Sequence, residues 1–258
     1  PCCAIRSACP AVLCGPLVSV ILMRRDSYDM SYAQTVETWT PRHGEEDPGT
    51  LGMDPAGLER LDAVVRRHRG PAQLTVLRDG RVAVDRRYGD GERGLAWFFS
   101  ASKPVVAVLV HQLVDRGEVD LDLPVADYWP EFAAHGKDGI TLRHVLQHRA
   151  GLPTAGAREG GALGDVLAMT DWERQVRRLE RARPARPPGV EPAYQYLVHG
   201  VILGEVVRRV TRRELGDLVA ERIGAPLGLR DFHLGLPRER AGEAVPLQAA
   251  GPAASATA

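Results

Sequence analysis

Phe98-Phe99-Ser100-Ala101-Ser102-Lys103-Pro104 runs directly into an apolar segment that has the residue spacing of a helix. A serine and a lysine three residues apart at the start of a helix lie on one face, one above the other. The amine of Lys103 can then reach the hydroxyl of Ser100 and take its proton. The positive end of the helix dipole also stabilises negative charge on the serine oxygen as it attacks. The pattern predicts a nucleophilic serine that carries out acyl transfer.

The same two residues also have a purely structural interpretation. Serine is a common N-cap, and a lysine in the first turn of a helix is ordinarily solvated. Two features favour the chemical hypothesis. Lys103 and Lys137 are the only lysines in a chain that otherwise uses arginine. The helix after Lys103 is apolar around most of its circumference, as buried helices are, and burial favours the neutral amine that a general base needs.

Length and charge narrow the class of protein. A chain of 258 residues can bury a large core, either as one domain or as two intertwined ones. Its 33 basic and 33 acidic residues cancel. The charge balance therefore gives no reason to expect nucleic acid or an anionic membrane as a partner.

The N-terminal part of the chain differs from the rest. All four cysteines lie within the first fourteen residues, so the remainder can form no disulfide and no thiolate metal site. Residues 9–22 form an apolar run that is too short for a transmembrane helix and is interrupted by Pro10 and Pro16. This run weakly resembles a secretory signal. We interpret residues 1–22 as foreign to the native protein and residues 1–53 as an irregular segment, which predicts a cytoplasmic protein with no stable membrane span.

Local signals predict a helix followed by a hairpin. Asp54 is a fitting N-cap, and Pro55 suits the first turn of the helix that follows. Residues 73–77 and 82–85 read as two strands on either side of Asp79-Gly80. That dipeptide favours a type I′ turn, which joins antiparallel strands.

The second half of the chain reads as helical. Helices are predicted near residues 100–117, after Thr141, and over residues 171–181, 197–210 and 213–223. A loop rich in glycine and alanine is predicted at residues 155–164, and a proline-rich loop at residues 184–192. Residues 238–258 show no periodicity and predict a disordered tail.

Three blocks resemble the serine β-lactamase-related family of class C β-lactamases, penicillin-binding proteins, D-alanyl-D-alanine peptidases and esterases. The blocks are Phe99-Ser100-Ala101-Ser102-Lys103 with Leu121-Asp122 and Pro124-Val125, Leu142-Arg143-His144-Val145-Leu146-Gln147-His148-Arg149-Ala150-Gly151-Leu152-Pro153, and Pro188-Gly189 through Tyr194-Gln195-Tyr196 to Gly204-Glu205-Val206-Val207. The resemblance covers about residues 54–237 and implies one domain there. The implied fold is α+β and β-lactamase/transpeptidase-like, an antiparallel sheet packed on helices with a helical subdomain at about residues 118–225.

The resemblance implies roles for three residues. Ser100 would be the nucleophile, Lys103 the base or a member of a proton relay, and Tyr194 the phenol that works with the lysine. Whether Lys103 or Tyr194 accepts the serine proton stays open. The implied activity is hydrolysis of a small-molecule ester, amide or lactam through an acyl-enzyme on Ser100. No metal and no organic cofactor are implied.

Two departures from the family pattern keep alternatives open. Tyr196 stands where the lactamases and peptidases have the asparagine of Tyr-x-Asn, which favours an esterase-like hydrolase. After Tyr194 there is no lysine for the third motif of the family, and His233-Leu234-Gly235 follows the last helix too closely to supply it. Since the implied sheet has five strands and only the N-terminal hairpin is visible, we expect the chain to lack the C-terminal strands. The alternatives are a β-lactamase or D-alanyl-D-alanine peptidase-like enzyme, and a truncated, non-catalytic fragment or binding scaffold.

Overall fold

A computed structural model describes residue 42 and residues 44–67, 72–88, 94–156 and 160–245. The chain divides into two compact units. One combines residues 1–96 with residues 242–258, and the other is formed by residues 97–241. Residues 1–22, which we interpret as foreign to the native protein, lie outside the described residues. Most of the predicted tail, from residue 246 onward, also lies outside them.

The first unit contains the predicted helix and hairpin. Helix α1 spans Pro55–Arg66, and the Asp54 side chain caps it by accepting a hydrogen bond from the Ala56 amide at 3.0 Å. Strands β1 (Ala72–Arg78) and β2 (Arg81–Tyr88) pair antiparallel. Asp79 and Gly80 both have positive φ, 52° and 78°, as a type I′ turn requires. The predictions of a capped helix and a tight hairpin are confirmed.

Residues 44–53, within the segment predicted to be irregular, hold defined contacts in this unit. They form a short 3₁₀ turn over Pro48–Leu51, and the side chains of Leu51 and Met53 are buried in the same core as the hairpin. The Glu45 carboxylate pairs with Arg86 of β2 at 3.0 Å, and both side chains are almost fully buried. This buried charge pair ties the segment to the sheet.

The second unit is helical. Its helices are α2 (Lys103–Asp115), α3 (Val125–Tyr128), α4 (Leu142–Leu146), α5 (Gly161–Leu167), α6 (Trp172–Arg181), α7 (Val198–Thr211) and α8 (Leu215–Val219), which continues as one π-helical turn over Ala220–Gly224. Short 3₁₀ turns lie at Phe99–Ser102 and Pro130–Ala133, and another spans Arg238–Glu243 at the boundary between the units.

Helix α7 forms the centre of this unit and packs against α2, α4 and α6. Its apolar side chains Ile202, Leu203 and Val206 are fully buried. Gly204 lets the neighbours come close, because a Cβ there would lie 2.8 Å from both Leu215 and Trp172. The helix therefore offers a rigid support for the loop that precedes it, which carries Tyr194.

One helix departs from the sequence-based expectation. Residues 155–164 were expected to form a glycine- and alanine-rich loop, yet α5 begins at Gly161 and runs to Leu167. The expected loop is therefore shorter than the composition indicates. Glycines lower helix propensity, so the composition of this segment does not indicate the helix.

Across the described residues the sheet consists of β1 and β2. One isolated parallel bridge joins Leu95 to Ala244 within the first unit. The architecture is α+β.

Candidate active site

Ser100 and Lys103 lie at the point where a tight turn becomes a helix. Ser100 is exposed in the 3₁₀ turn over Phe99–Ser102, and the half-buried Lys103 is the first residue of α2. The Nζ atom of Lys103 lies 3.3 Å from the Oγ atom of Ser100. Phe99, immediately before the serine, has a φ of 44°, in the left-handed region that bulky residues rarely adopt. Backbone strain of this kind is typical of functional sites.

The N-cap interpretation of Ser100 finds no support in the geometry. The residue preceding the 3₁₀ turn is Phe98, and the residue preceding α2 is Ser102. Neither makes a side-chain capping bond, and the Ser102 hydroxyl instead donates to the Phe99 carbonyl oxygen at 2.6 Å. The Ser100 hydroxyl is thus left to interact with Lys103.

A loop from far along the chain completes the surroundings of Lys103. Its Nζ donates a hydrogen bond to the backbone carbonyl oxygen of Tyr196 at 2.7 Å. The same atom lies 4.9 Å from the centre of the Tyr194 ring and 6.0 Å from that of Tyr196. The structure therefore brings together Ser100, Lys103 and Tyr194, the three residues to which the resemblance assigns roles. It adds the Tyr196 backbone, whose part in holding the lysine no residue pattern indicates.

The environment of Tyr194 changes the acidity of its phenol. Partial burial acts to raise the pKa of Tyr194, but hydrogen bonding with Ser100 and Lys103 and the positive charge of Lys103 act in the opposite direction and prevail. The pKa of Tyr194 lies below its ordinary value as a result. A phenol with a lowered pKa exchanges a proton more readily near neutral pH, which suits a proton-transfer partner.

Two histidines lie near Tyr194, on the side toward α7. The His148 ring centre lies 4.8 Å from that of Tyr194 and 4.7 Å from that of His199. The Nδ1 atom of His148 accepts a hydrogen bond from the Gln195 amide at 3.1 Å. Burial, together with the charge of Lys103, lowers the pKa of His148, and the Gln195 side chain acts in the opposite direction. Burial lowers the pKa of His199 to about 4, and the charges of His148 and Lys103 act in the same direction.

Neither His148 nor His199 is predicted from the sequence as part of the site. The only local signal is that His148 begins His148-Arg149-Ala150-Gly151, inside the second block that resembles the family. Nearby His144 has a different and local role, since its Nδ1 atom accepts from the Thr141 amide in a capping box at the start of α4.

His233 stands apart from this constellation. The segment His233-Leu234-Gly235 forms no strand, and the His233 Nε2 atom lies 2.8 Å from an Arg240 guanidinium nitrogen. Arg240 in turn pairs with Asp231 at 2.8 Å. This agrees with the expectation that the segment belongs to the connection after the last helix and not to a third motif.

Two features are absent from the described residues. Within residues 42, 44–67, 72–88, 94–156 and 160–245, no group of three or more histidine, cysteine, aspartate or glutamate side chains is arranged to hold a metal ion. In the same ranges, none of the helices combines the length and the apolar character needed to cross a bilayer.

Comparison with known proteins points to one family. The family model described as Beta-lactamase matches residues 56–255. The Esterase/beta-lactamase LipL of Mycobacterium tuberculosis is 37% identical over 177 residues, which cover 65% of this chain and 40% of LipL. Esterase EstB of Burkholderia gladioli is 34% identical over 212 residues, which cover 72% of this chain and 54% of EstB. The chain thus spans about half the length of the curated relatives that it matches.

Solved structures give the same result for the fold. A family VIII carboxylesterase is 30% identical, with a TM-score of 0.61 over 71% of this chain and 52% of the carboxylesterase. EstA from Arthrobacter nitroguajacolicus is 30% identical, with a TM-score of 0.63 over 76% of this chain and 52% of EstA. These likenesses confirm the predicted β-lactamase/transpeptidase-like α+β fold.

Proposed function

The chain belongs to the beta-lactamase family, and on that premise we propose that it is a serine hydrolase that cleaves an ester or amide through an acyl-enzyme on Ser100. The observation that carries the proposal is the 3.3 Å approach of the Lys103 amine to the Ser100 hydroxyl. Tyr194 supports it, because its phenol lies beside the same pair and has a lowered pKa.

The proposed reaction has two steps. The Ser100 oxygen attacks the substrate carbonyl carbon while its proton passes to the Lys103–Tyr194 pair, and the tetrahedral intermediate expels an alcohol or amine that takes up this proton. A water molecule then attacks the acyl–Ser100 ester and gives a proton to the same pair. The pair passes this proton to the departing Ser100 oxygen, which regenerates the serine as the carboxylic acid is released.

The second residue after Tyr194 favours an ester over a lactam or peptide. Tyr196 carries a phenol where a Tyr-x-Asn motif would present a side-chain amide, and its backbone carbonyl is already engaged by Lys103. An amide side chain presents its acceptor oxygen and its N–H donors on two separate atoms and can orient a peptide-like substrate with both, whereas a phenol has a single oxygen for both roles. Esters need no such partner, so an esterase-like activity is the better match.

Labelling with a fluorophosphonate probe tests the nucleophile. We expect the wild-type chain to react and Ser100→Ala to lose the label. Ser102→Ala is the matched control, because it removes a hydroxyl only two residues away that is bonded to the Phe99 carbonyl. Ser102→Ala should label at the wild-type rate. Label retained by Ser100→Ala would remove Ser100 as the nucleophile.

The substrate preference is tested with two chromogenic compounds. We expect hydrolysis of p-nitrophenyl acetate to exceed that of a chromogenic cephalosporin. Turnover of the cephalosporin alone would show that a lactam-active enzyme is the correct alternative. A chain that neither labels nor turns over either compound would support the non-catalytic scaffold instead.

A further inference from the structure

Tyr194 needs an external support to act in proton transfer. It lies in the loop before α7, outside any helix or strand, and its side chain is 53% exposed. A side chain in such a position keeps its rotamer freedom unless contacts remove it. A catalytic phenol, by contrast, has to stay within hydrogen-bonding reach of its partners.

One residue holds the backbone on both sides of Tyr194. The carbonyl oxygen of His148 accepts a hydrogen bond from the Ala193 amide at 2.7 Å. The Nδ1 atom of the same histidine accepts a hydrogen bond from the Gln195 backbone amide at 3.1 Å. The backbone is therefore bonded to His148 immediately before and immediately after Tyr194.

The ring of His148 also contacts the tyrosine ring. The two ring centres are 4.8 Å apart at an interplanar angle of 42°. His199 contacts His148 in turn, with ring centres 4.7 Å apart, and the His199 side chain is buried in α7. The three rings, each tilted relative to the next, form a continuous row that leads from the core to the exposed phenol.

His148 performs this role as a neutral imidazole. Its Nδ1 accepts a hydrogen bond from the Gln195 backbone amide, so the ring proton is on Nε2. A second proton would remove the acceptor and would add positive charge close to Lys103. Within the part of the chain that the structure describes, the titratable groups that face His148 are Lys103 of α2, His199 of α7 and Tyr194 of the loop. None of these three is a carboxylate that would stabilise an imidazolium.

The loop that carries His148 is itself tightly held. His148 has a φ of 58°, and Gly151 has a φ of 71° at a place where a Cβ would collide with the Arg186 carbonyl. The Arg149 carbonyl accepts from the Gly189 amide at 2.8 Å, and the Gly151 carbonyl from the Ala185 amide at 2.9 Å. Two segments of the second unit are thus joined along their backbones, and the imidazole projects from a rigid support.

From this geometry we infer that His148 is a positioning residue, which holds the Tyr194 phenol against Ser100 and Lys103 through two hydrogen bonds and a ring contact. The inference rests on the proposed function, since it concerns the same proton-transfer group. No step of the reaction passes through the imidazole.

Three variants of the 258-residue chain separate this role from general stability. His148→Leu removes the acceptor and the ring. His148→Asn keeps an acceptor near the Nδ1 position, and asparagine tolerates left-handed backbone. His135→Leu is the matched control, because His135 is an exposed histidine of the same unit with a φ of 62°, so it carries the same substitution and the same backbone cost.

Kinetics with p-nitrophenyl acetate give the first readout. We expect His148→Leu to lower kcat by about 100-fold with little change in KM, as small displacements of a catalytic group do. His148→Asn should recover most of the loss, and His135→Leu should match the wild type. A His148→Leu variant that is folded by circular dichroism and retains the wild-type kcat would overturn the inference.

Titration of Tyr194 gives a readout that needs no turnover. With tyrosine labelled at ¹³Cζ and the Tyr194 signal assigned by Tyr194→Phe, we expect the pKa of Tyr194 to rise in His148→Leu and to return in His148→Asn. An unchanged pKa in folded His148→Leu would overturn the inference. Because this measurement does not require Ser100 to be the nucleophile, it decides the role of His148 even if Ser100→Ala still labels and the proposed function fails.

A measurement on the wild type covers the case in which His148→Leu does not fold. ¹⁵N NMR of the imidazoles at pH 7, with the His148 signal identified by His148→Asn, reports which ring nitrogen carries the proton. We expect an unprotonated Nδ1. A protonated Nδ1 would show that the Gln195 amide is not bonded there, and the inference would be wrong.

Discussion

The Nζ atom of Lys103 lies 3.3 Å from the Oγ atom of Ser100, and the two residues are separated by a single turn. This contact joins the second residue of the 3₁₀ turn to the first residue of α2. A neutral amine at that distance can accept the serine proton, whereas a guanidinium cannot, because arginine stays protonated in proteins.

We therefore expect Lys103→Arg to reduce kcat/KM by about 1,000-fold, within the range that general base catalysis contributes, although the positive charge is kept. The measurement is the rate of p-nitrophenyl acetate hydrolysis. Arg116→Met, at the other end of α2 in a surface pair with Glu118, is the control and should leave the rate unchanged. A Lys103→Arg variant with the wild-type rate would exclude the lysine as proton acceptor.

The buried imidazole of His199 makes stability depend on pH. Its folded-state pKa of about 4 lies below the ordinary 6.5, so the unfolded chain binds more protons between these values. The contribution of His199 is present above pH 6.5 and is lost as the pH falls toward 4, by about 3 kcal/mol at the limit.

Urea unfolding at pH 7 and at pH 5 measures this effect. His199→Phe keeps a ring of similar shape and cannot titrate, so we expect its free energy of unfolding to fall less on acidification than that of the wild type. His111→Gln changes an exposed histidine of α2 and should follow the wild type. An equal fall in His199→Phe would mean that another group is responsible.

Lys137 stabilises the end of α6 from within the core. Its ammonium is fully buried and donates to the carbonyl oxygens of Ala134, Glu180 (3.0 Å) and Ala182 (2.6 Å). Burial lowers the pKa of Lys137 to about 8, with the charge of Arg183 acting in the same direction and that of Glu180 opposing it. At pH 7 the ammonium still predominates and keeps three donors.

We expect Lys137→Met to lower the free energy of unfolding by about 3 kcal/mol, because buried carbonyls lose their donors. Chemical denaturation measures the change. Arg181→Met, an exposed position at the end of α6, should change stability by less than about 0.5 kcal/mol. Equal effects of the two substitutions would contradict this account of Lys137.

In the first unit, two arginines of β2 provide a direct comparison of buried and exposed charge. Arg86 pairs with Glu45 at 3.0 Å and with Asp62 at 3.3 Å, and all three side chains are nearly inaccessible. Arg81 pairs with Glu46, and roughly half of each of these two side chains is exposed. Removing a buried partner leaves uncompensated charge, whereas a surface pair contributes little.

Arg86→Met is therefore expected to cost about 3–5 kcal/mol of unfolding free energy. Arg81→Met should cost no more than about 1 kcal/mol. Thermal and urea unfolding of both variants decide the matter. A similar loss in both would show that burial does not govern these pairs.

Structural elements that depend on residues close together in the chain could be predicted from the sequence. Asp54 caps α1 and Thr141 caps α4 because each side chain reaches amides two or three residues away. Asp79-Gly80 turns the hairpin because both residues accept positive φ. Helix α5 was not predicted. Its glycines lower the local helix propensity, and a prediction from sequence depends on that propensity.

In the candidate site, too, some features follow from local sequence and others from tertiary structure. The sequence by itself determined the pairing of Ser100 with Lys103, because three residues of tight turn bring any serine and lysine to one face. Resemblance to a family supplied Tyr194. Only the tertiary structure decided that the Tyr196 carbonyl accepts a hydrogen bond from Lys103 and that His148 forms hydrogen bonds to the backbone on both sides of Tyr194. Those contacts join segments some fifty to ninety residues apart, and hydrogen bonds between such segments depend on how α2 and α7 pack, which no local spacing encodes.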